Sequence, residues 1–110
     1  NPVSLAIDGK LFVIAENGIL TTYYKGTKEA EVNTSIPVVK GSNLLTTPNS
    51  QYLYLINKGL GRIYVLTKES GTLLKTLKLN SQEPIVDASI SDDQTIYILS
   101  KDDRVWKVVP

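Results

Sequence analysis

Two residue types that carry much of protein chemistry are missing from this 110-residue chain: cysteine and histidine. Without them there can be no disulfides, thiolate nucleophiles, Cys/His zinc sites or imidazole general bases. The lack of cysteine does not place the protein, because it suits a reducing cytosol and a bacterial exterior equally. Methionine is absent as well, so Asn1 does not read as a natural start and the chain reads as a segment of a longer protein. Charge of one sign is also lacking. Twelve basic residues face eleven acidic ones, leaving a net charge of +1 with no block of like charge. A nucleic-acid or acidic-membrane partner would want a basic stripe, so neither is expected. No apolar run approaches the roughly 18 residues that span a bilayer. Alanine is scarce, at four residues, while valine, isoleucine and threonine reach ten each. That balance favours strand over helix.

The chain is organised around Gln51–Leu79, which reads as three consecutive strands of one antiparallel meander. Tyr52–Ile56, Ile63–Leu66 and Thr72–Leu79 are the strands. The turns between them are Asn57-Lys58-Gly59-Leu60-Gly61 and Lys68-Glu69-Ser70-Gly71. A helix over Thr72–Leu79 is the rival reading, since Leu73, Leu74 and Leu77 also fit one helical face. Eight residues between Gly71 and Asn80 are short for a helix, and the repeat favours strand.

The same unit recurs on both sides. Ser4–Ile7, Leu11–Ile14, Ile19–Tyr24 and Lys28–Asn33 make a first unit, with turns at Asp8-Gly9, Asn17-Gly18 and Lys25-Gly26. Asn43–Thr47 opens the second behind Pro37-Val38-Val39. Asp87–Ile90, Thr95–Leu99 and Arg104–Val109 form a third behind Pro84-Ile85-Val86, and this one lacks a fourth strand. Aligning Leu11, Leu53 and Ile96 gives offsets of 42 and 43 residues, the spacing of four-stranded propeller blades. Phe12, Tyr54 and Tyr97 then share one position. Leu53 and Leu55 face opposite to Tyr54 and Ile56, so both faces of that strand are apolar. A sandwich sheet usually leaves one face to water, whereas a propeller blade is buried between two others. The expected fold is therefore all-β: a β-propeller segment of four-stranded antiparallel meander blades, two complete and a three-stranded third. The units are placed at about 2–34, 35–81 and 82–110.

Pro48-Asn49-Ser50-Gln51-Tyr52-Leu53-Tyr54-Leu55-Ile56-Asn57, Gly61-Arg62-Ile63-Tyr64-Val65-Leu66 and Ser70-Gly71-Thr72-Leu73-Leu74 resemble blades of YVTN-type propellers. Ala6-Ile7-Asp8-Gly9-Lys10-Leu11-Phe12-Val13 with Asn17-Gly18 is similar to repeats of PQQ-like and NHL-like propellers. The marks of WD repeats are missing, since there is no histidine and Trp106 precedes lysine rather than aspartate. The paired glycines of kelch repeats are missing too. The chain also resembles propeller tails of bacterial membrane-anchored protein phosphatases. That likeness implies an extracytoplasmic sensor or interaction tail, with catalysis in another domain.

In a four-stranded meander the first–second and third–fourth turns share one rim. The second–third turns and the blade-to-blade connections share the other. The latter rim is the expected binding surface and carries Glu16, Asn17, Asn33, Asn57, Lys58, Arg62, Glu83, Lys101, Asp102, Asp103 and Arg104. Each of these also suits plain turn-making. Asp92-Asp93 and Asp102-Asp103 offer hard oxygen ligands, but the pairs sit on opposite rims and fall short of the six to eight ligands of Ca²⁺. Gly59-Leu60-Gly61 lacks the third glycine and following helix of a phosphate loop. Tyr23-Tyr24-Lys25 could stack on bases, though an aromatic pair in a strand more often packs. Asn33-Thr34-Ser35 spells a glycosylation acceptor, a pattern easily met by chance. Phe12, Tyr54, Tyr97 and Trp106 are expected to pack between blades, with Trp106 also an anchor candidate should the last face dock on a partner.

These residues point to a non-enzymatic scaffold or recognition segment with no cofactor and no metal. Its partners would be the remaining blades, further copies of itself, or another protein or small ligand. A fragment of a propeller enzyme, of the quinone-dependent dehydrogenase or lactonase type, is the alternative from another class. A purely structural repeat that pairs with its own copies is the third. The incomplete last unit is expected to be covered by neighbouring blades, or to borrow a strand from the next copy's N-terminal segment.

Overall fold

The computed structural model describes residues 1–79 and 84–109. Glu83, one of the expected rim residues, lies outside them. Among the described residues there are eleven strands and no helix. β1 (Pro2–Asp8), β2 (Lys10–Ala15), β3 (Ile19–Tyr24) and β4 (Thr27–Asn33) form one antiparallel sheet in sequential order, blade 1. β5 (Asn43–Leu45), β6 (Tyr52–Asn57), β7 (Arg62–Thr67) and β8 (Leu73–Lys78) form blade 2 in the same way. β9 (Ile85–Ile90), β10 (Ile96–Ser100) and β11 (Val105–Val108) make a three-stranded blade 3. The stretch that fitted a helix face is strand β8. Its leucines lie on the outermost strand of blade 2, where β7 supplies a ladder that a lone two-turn helix would lack.

Local chemistry explains the hairpins. Asp8 and Lys10 pair across Gly9, whose φ of 65° a side chain would resist. Both complete blades carry an irregularity between third and fourth strands at the same position of the repeat, Thr22/Tyr23 in blade 1 and Val65/Leu66 in blade 2. Such bulges strengthen the twist that lets a blade stack against the next. Pro84-Ile85-Val86 leads straight into β9, whereas the corresponding stretch of blade 2 stays outside the ladder. Pro37-Val38-Val39 is part of the connection that precedes β5, and Ser35 and Gly41 in it hold φ of 59° and 92°. These left-handed residues break the extended run, yet Ile36 and Val38 still turn into the core.

The core is two seams. Between blades 1 and 2 lie Phe12, Ile14 and Leu20 against Leu53, Leu55, Tyr64 and Leu66. Between blades 2 and 3 lie Tyr54, Ile56, Ile63 and Val65 against Ala88, Ile96 and Ile98. Strand alternation thus sends even positions of β6 forward to blade 3 and odd ones back to blade 1. Phe12 and Tyr54, at matching places in the repeat, are 3% and 1% exposed. Tyr97 holds the same forward position but is 39% exposed. It was expected to pack between blades, and among the described residues no blade covers it. Trp106, expected between blades and as an anchor candidate on the last face, lies on the other side of the sheet from Tyr97. It pairs with Ile98 on the inward face, packs against the blade 2–3 seam and donates from Nε1 to Ser100 Oγ at 3.3 Å. It therefore does not belong to the open end face.

Candidate functional site

The rim expected to bind is assembled as the meander dictates. Thr34 N–H donates to Gly18 O (3.0 Å), Leu79 N–H to Gly61 O (2.9 Å) and Lys101 N–H to Pro84 O (2.9 Å). These bonds lock each blade-to-blade connection to a second–third turn. The side chains there are largely engaged in building it. Asn17 Oδ1 accepts from Ile19 N–H at 3.1 Å. Asn57, 1% exposed, accepts from Leu60 N–H at 3.1 Å and so shapes its own turn instead of facing solvent. Asp102 accepts from Ser100 Oγ and pairs with Arg104 Nε at 3.1 Å. Lys58 and Arg62 are half-buried, while Lys101, Asp103 and Arg104 are exposed. Asp103 takes a φ of 63°, a turn conformation that aspartate tolerates. The serine hydroxyl on Asp102 holds its carboxyl below the usual carboxylate value, helped by Arg104 and opposed by slight desolvation. Asp93 on the other rim is lowered in the same manner by Ser91 Oγ and the Thr95 N–H. Among the described residues no three acidic side chains gather into a metal-holding group.

Three buried polar atoms have no partner on or near this rim: Ser42 Oγ, Asn57 Nδ2 and Tyr64 OH. Asn57 and Tyr64 share the blade 1 face of blade 2, and Ser42 immediately precedes β5.

The larger concavity lies at the opposite rim. A cleft of about 740 Å³ opens between blades 1 and 2, where the first–second and third–fourth turns of both blades meet. Phe12 and Tyr24 of blade 1 give it aromatic area, while the Tyr52 ring turns to the blade 2–3 side. Tyr52 is held edge-on to Tyr54, with ring centroids 6.4 Å apart. Polar groups reach it from three turns: Asp8 and Lys10, Ser50 and Gln51, and Lys68 and Glu69. Lys68 Nζ forms an ion pair with Asp8 and also donates to Thr47 O at 2.8 Å. Both charged side chains are mostly buried, at 14% and 21% exposure. Lys10 pairs with Glu29 at 2.5 Å, and the ammonium groups of Lys10 and Lys25 lie 5.9 and 5.4 Å from the centre of the half-exposed Tyr24 ring.

None of the expected rim residues lines this cleft, and of the expected packing residues only Phe12 does. A signal was present in the sequence, because the turns at Asp8 and Lys68 belong to the rim that first–second and third–fourth turns share. What it could not give is the stagger that brings those two turns together.

The arrangement of sheets has close parallels among solved structures. Hsv2 of Kluyveromyces marxianus superposes with a TM-score of 0.70 at 15% identity, covering 97% of this chain and 35% of that one. Hsv2 of Kluyveromyces lactis gives 0.62 at 11% identity, over 98% of this chain and 33% of that one. The WD40 β-propeller domain of Doa1 gives 0.58 at 11%, over 98% and 40%. The chain folds as part of a β-propeller. It spans between 33% and 40% of the length of these proteins. No family model matches it, and no curated protein matches its sequence. The likeness to a WD40 domain therefore arises without the WD marks. The meander and the doubly apolar blades carry the propeller fold here, and the signature residues are not needed for it.

Proposed function

We propose that this chain is a non-enzymatic recognition segment of a propeller, and that it takes an extended peptide in the cleft between blades 1 and 2. The observation that carries the reading is the cleft itself. Tyr24, with Phe12 beneath it, offers apolar area to an aromatic or long aliphatic side chain. Ser50, Gln51 and Glu69 supply polar atoms of both kinds at the mouth, which suits a peptide backbone rather than a single anion. A scaffold role is supported by the repeat architecture shared with propeller proteins. The lack of histidine and cysteine, and the engagement of Asp8 by Lys68, speak against a reacting centre in the cleft.

Selection of displayed random peptides on the immobilised chain tests this. The expected result is a set of peptides with an aromatic or leucine anchor, whose affinity falls at least tenfold with Tyr24→Ala. Arg104→Ala, on the far rim, should leave them bound. Peptides sensitive to Arg62→Ala or Arg104→Ala but not to Tyr24→Ala would move recognition to the second–third turns.

A second reading rests on the unpartnered Ser42 Oγ, Asn57 Nδ2 and Tyr64 OH. Buried polar atoms of this kind ordinarily hold ordered water. Near the expected rim they would also suit a small polar ligand at the seam of blades 1 and 2.

A further inference from the structure

We infer that the blade 1 face of blade 2 takes the carboxylate of a small organic acid, held by Arg62, Asn57 and Tyr64. This rests on the small-ligand reading of the unpartnered polar atoms and leaves the peptide reading of the cleft untouched. Blade 3 supplies the basis, because there a carboxylate of the chain itself joins the same positions.

Register defines the correspondence. In blade 2, Asn57 pairs with Arg62 and Leu55 with Tyr64. In blade 3, Ile98 pairs with Trp106 and Leu99 with Val105, and Ser100 N–H donates to Arg104 O at 2.9 Å. Aligning Leu55 with Ile98 sets Ser100 at the place of Asn57, Arg104 at that of Arg62 and Trp106 at that of Tyr64. Alternation turns both sets toward the preceding blade, with Leu55 and Tyr64 in one seam and Ile98 and Trp106 in the next.

In blade 3 these groups are wired together. Trp106 Nε1–H donates to Ser100 Oγ at 3.3 Å, Ser100 Oγ donates to Asp102, and Asp102 meets Arg104 Nε at 3.1 Å. Asp102 belongs to the turn that follows Ser100. The turn of blade 2 is Lys58-Gly59-Leu60-Gly61 and holds no acid. There the matching groups are left over. Asn57 Nδ2 and Tyr64 OH have no partner at 1% and 4% exposure, and Arg62 is in no ion pair among the described residues. Asn57 Oδ1 is fixed on Leu60 N–H, so the free end of the amide is its donor end. Ser42 Oγ, likewise unpartnered, directly precedes Asn43, which pairs with Ile56 next to Asn57.

What this group lacks is an acceptor. The guanidinium and the amide end only donate, and both hydroxyls can. A single arginine balances a single negative charge, and its fork matches the oxygens of a carboxylate. Arg62 is half-buried and so reaches both seam and solvent. The other donors are almost wholly buried, which selects a small acid over a bulky one.

Acetate titrated into the 110-residue chain, replacing chloride at constant ionic strength, is expected to shift the Arg62 Nε–H and Asn57 side-chain N–H resonances along one saturable curve. Acetamide, of the same shape without the charge, should leave them in place. Arg62→Gln should weaken the response at Asn57 about tenfold or more. Gly59 follows Asn57 at the same distance along the chain as Asp102 follows Ser100, and a Cβ there would lie 3.8 Å from Asn57 Oδ1. Gly59→Asp should therefore supply the carboxylate from within and abolish the acetate response, while Gly59→Asn keeps it. A dispersed spectrum of each variant shows that it is folded. An equal response to acetamide would overturn the carboxylate and keep the small-ligand reading. No response to either probe would overturn both and assign the buried groups to water. An acetate response that survives Arg62→Gln, or persists unchanged in Gly59→Asp, would overturn the site as placed.

Discussion

Asp8 and Lys68 stand sixty positions apart in the chain and form the ion pair that ties the first turn of blade 1 to the last turn of blade 2. Their side chains are mostly withdrawn from water, so the pair lies between two regimes. Exposed pairs contribute about 0–1 kcal/mol, and breaking a fully buried one costs about 3–5 kcal/mol. Lys68→Met is expected to cost about 1–3 kcal/mol in urea denaturation, because it leaves a partly buried carboxylate alone. The reversed pair, Asp8→Lys with Lys68→Asp, should recover part of that loss. No measurable loss in the single variant would mean that water screens the pair.

Tyr54 and Tyr97 occupy the same place in the repeat but differ in what covers them. Tyr54→Ala should cost about 3–5 kcal/mol, as large-to-small changes in an aromatic core do. Tyr97→Ala, measured on the 110-residue chain, should cost about 0.5 kcal/mol or less. Equal losses at the two positions would contradict the difference in their burial.

Gly71 and Gly9 separate backbone strain from crowding. Both hold positive φ, 69° and 65°. A Cβ at Gly9 meets nothing within 4 Å, whereas one at Gly71 would lie 3.3 Å from Leu20 and Val32 of blade 1. Gly9→Ala should therefore show only the left-handed penalty, about 1–2 kcal/mol. Gly71→Ala should add overpacking of the seam and cost about 2–4 kcal/mol. Thermal melts of the two variants check the order.

Asp93 and Asp102 are both held below 3.8 by serine hydroxyls. A depressed folded pKa means that the unfolded chain binds protons first as pH falls. The stabilisation is thus complete above 3.8 and disappears as pH drops through the lowered folded value. Asp93→Asn and Asp102→Asn should be less stable than the parent at neutral pH and should converge with it at strongly acidic pH. A stability gap that persists there would assign these side chains a role other than charge.

The sequence carried the local architecture because the determinants are local. Alternation in Tyr52-Leu53-Tyr54-Leu55-Ile56, the glycines at the turns and the offsets of 42 and 43 residues define strands, hairpins and the repeat. From these the doubly apolar faces and the propeller followed, and so did the shared position of Phe12, Tyr54 and Tyr97. The candidate site was less legible. Asn57 reads as a surface turn residue in the sequence, but its amide turns inward to cap Leu60 N–H. Trp106 reads both as a residue packed between blades and as an anchor on the last face, and only its pairing with Ile98 assigns it to the inner seam.

What the sequence determined by itself is which residues extend, which turn, and which face each strand residue takes, because strand period and turn geometry act over a few bonds. Which turns of different blades meet was decided only by the tertiary structure. The Asp8–Lys68 pair, the aromatic cleft beside it and the bare forward face at Tyr97 all depend on how one twisted sheet stacks on the next. That stacking arises from side-chain packing between residues tens of positions apart, and no short stretch of chain encodes it.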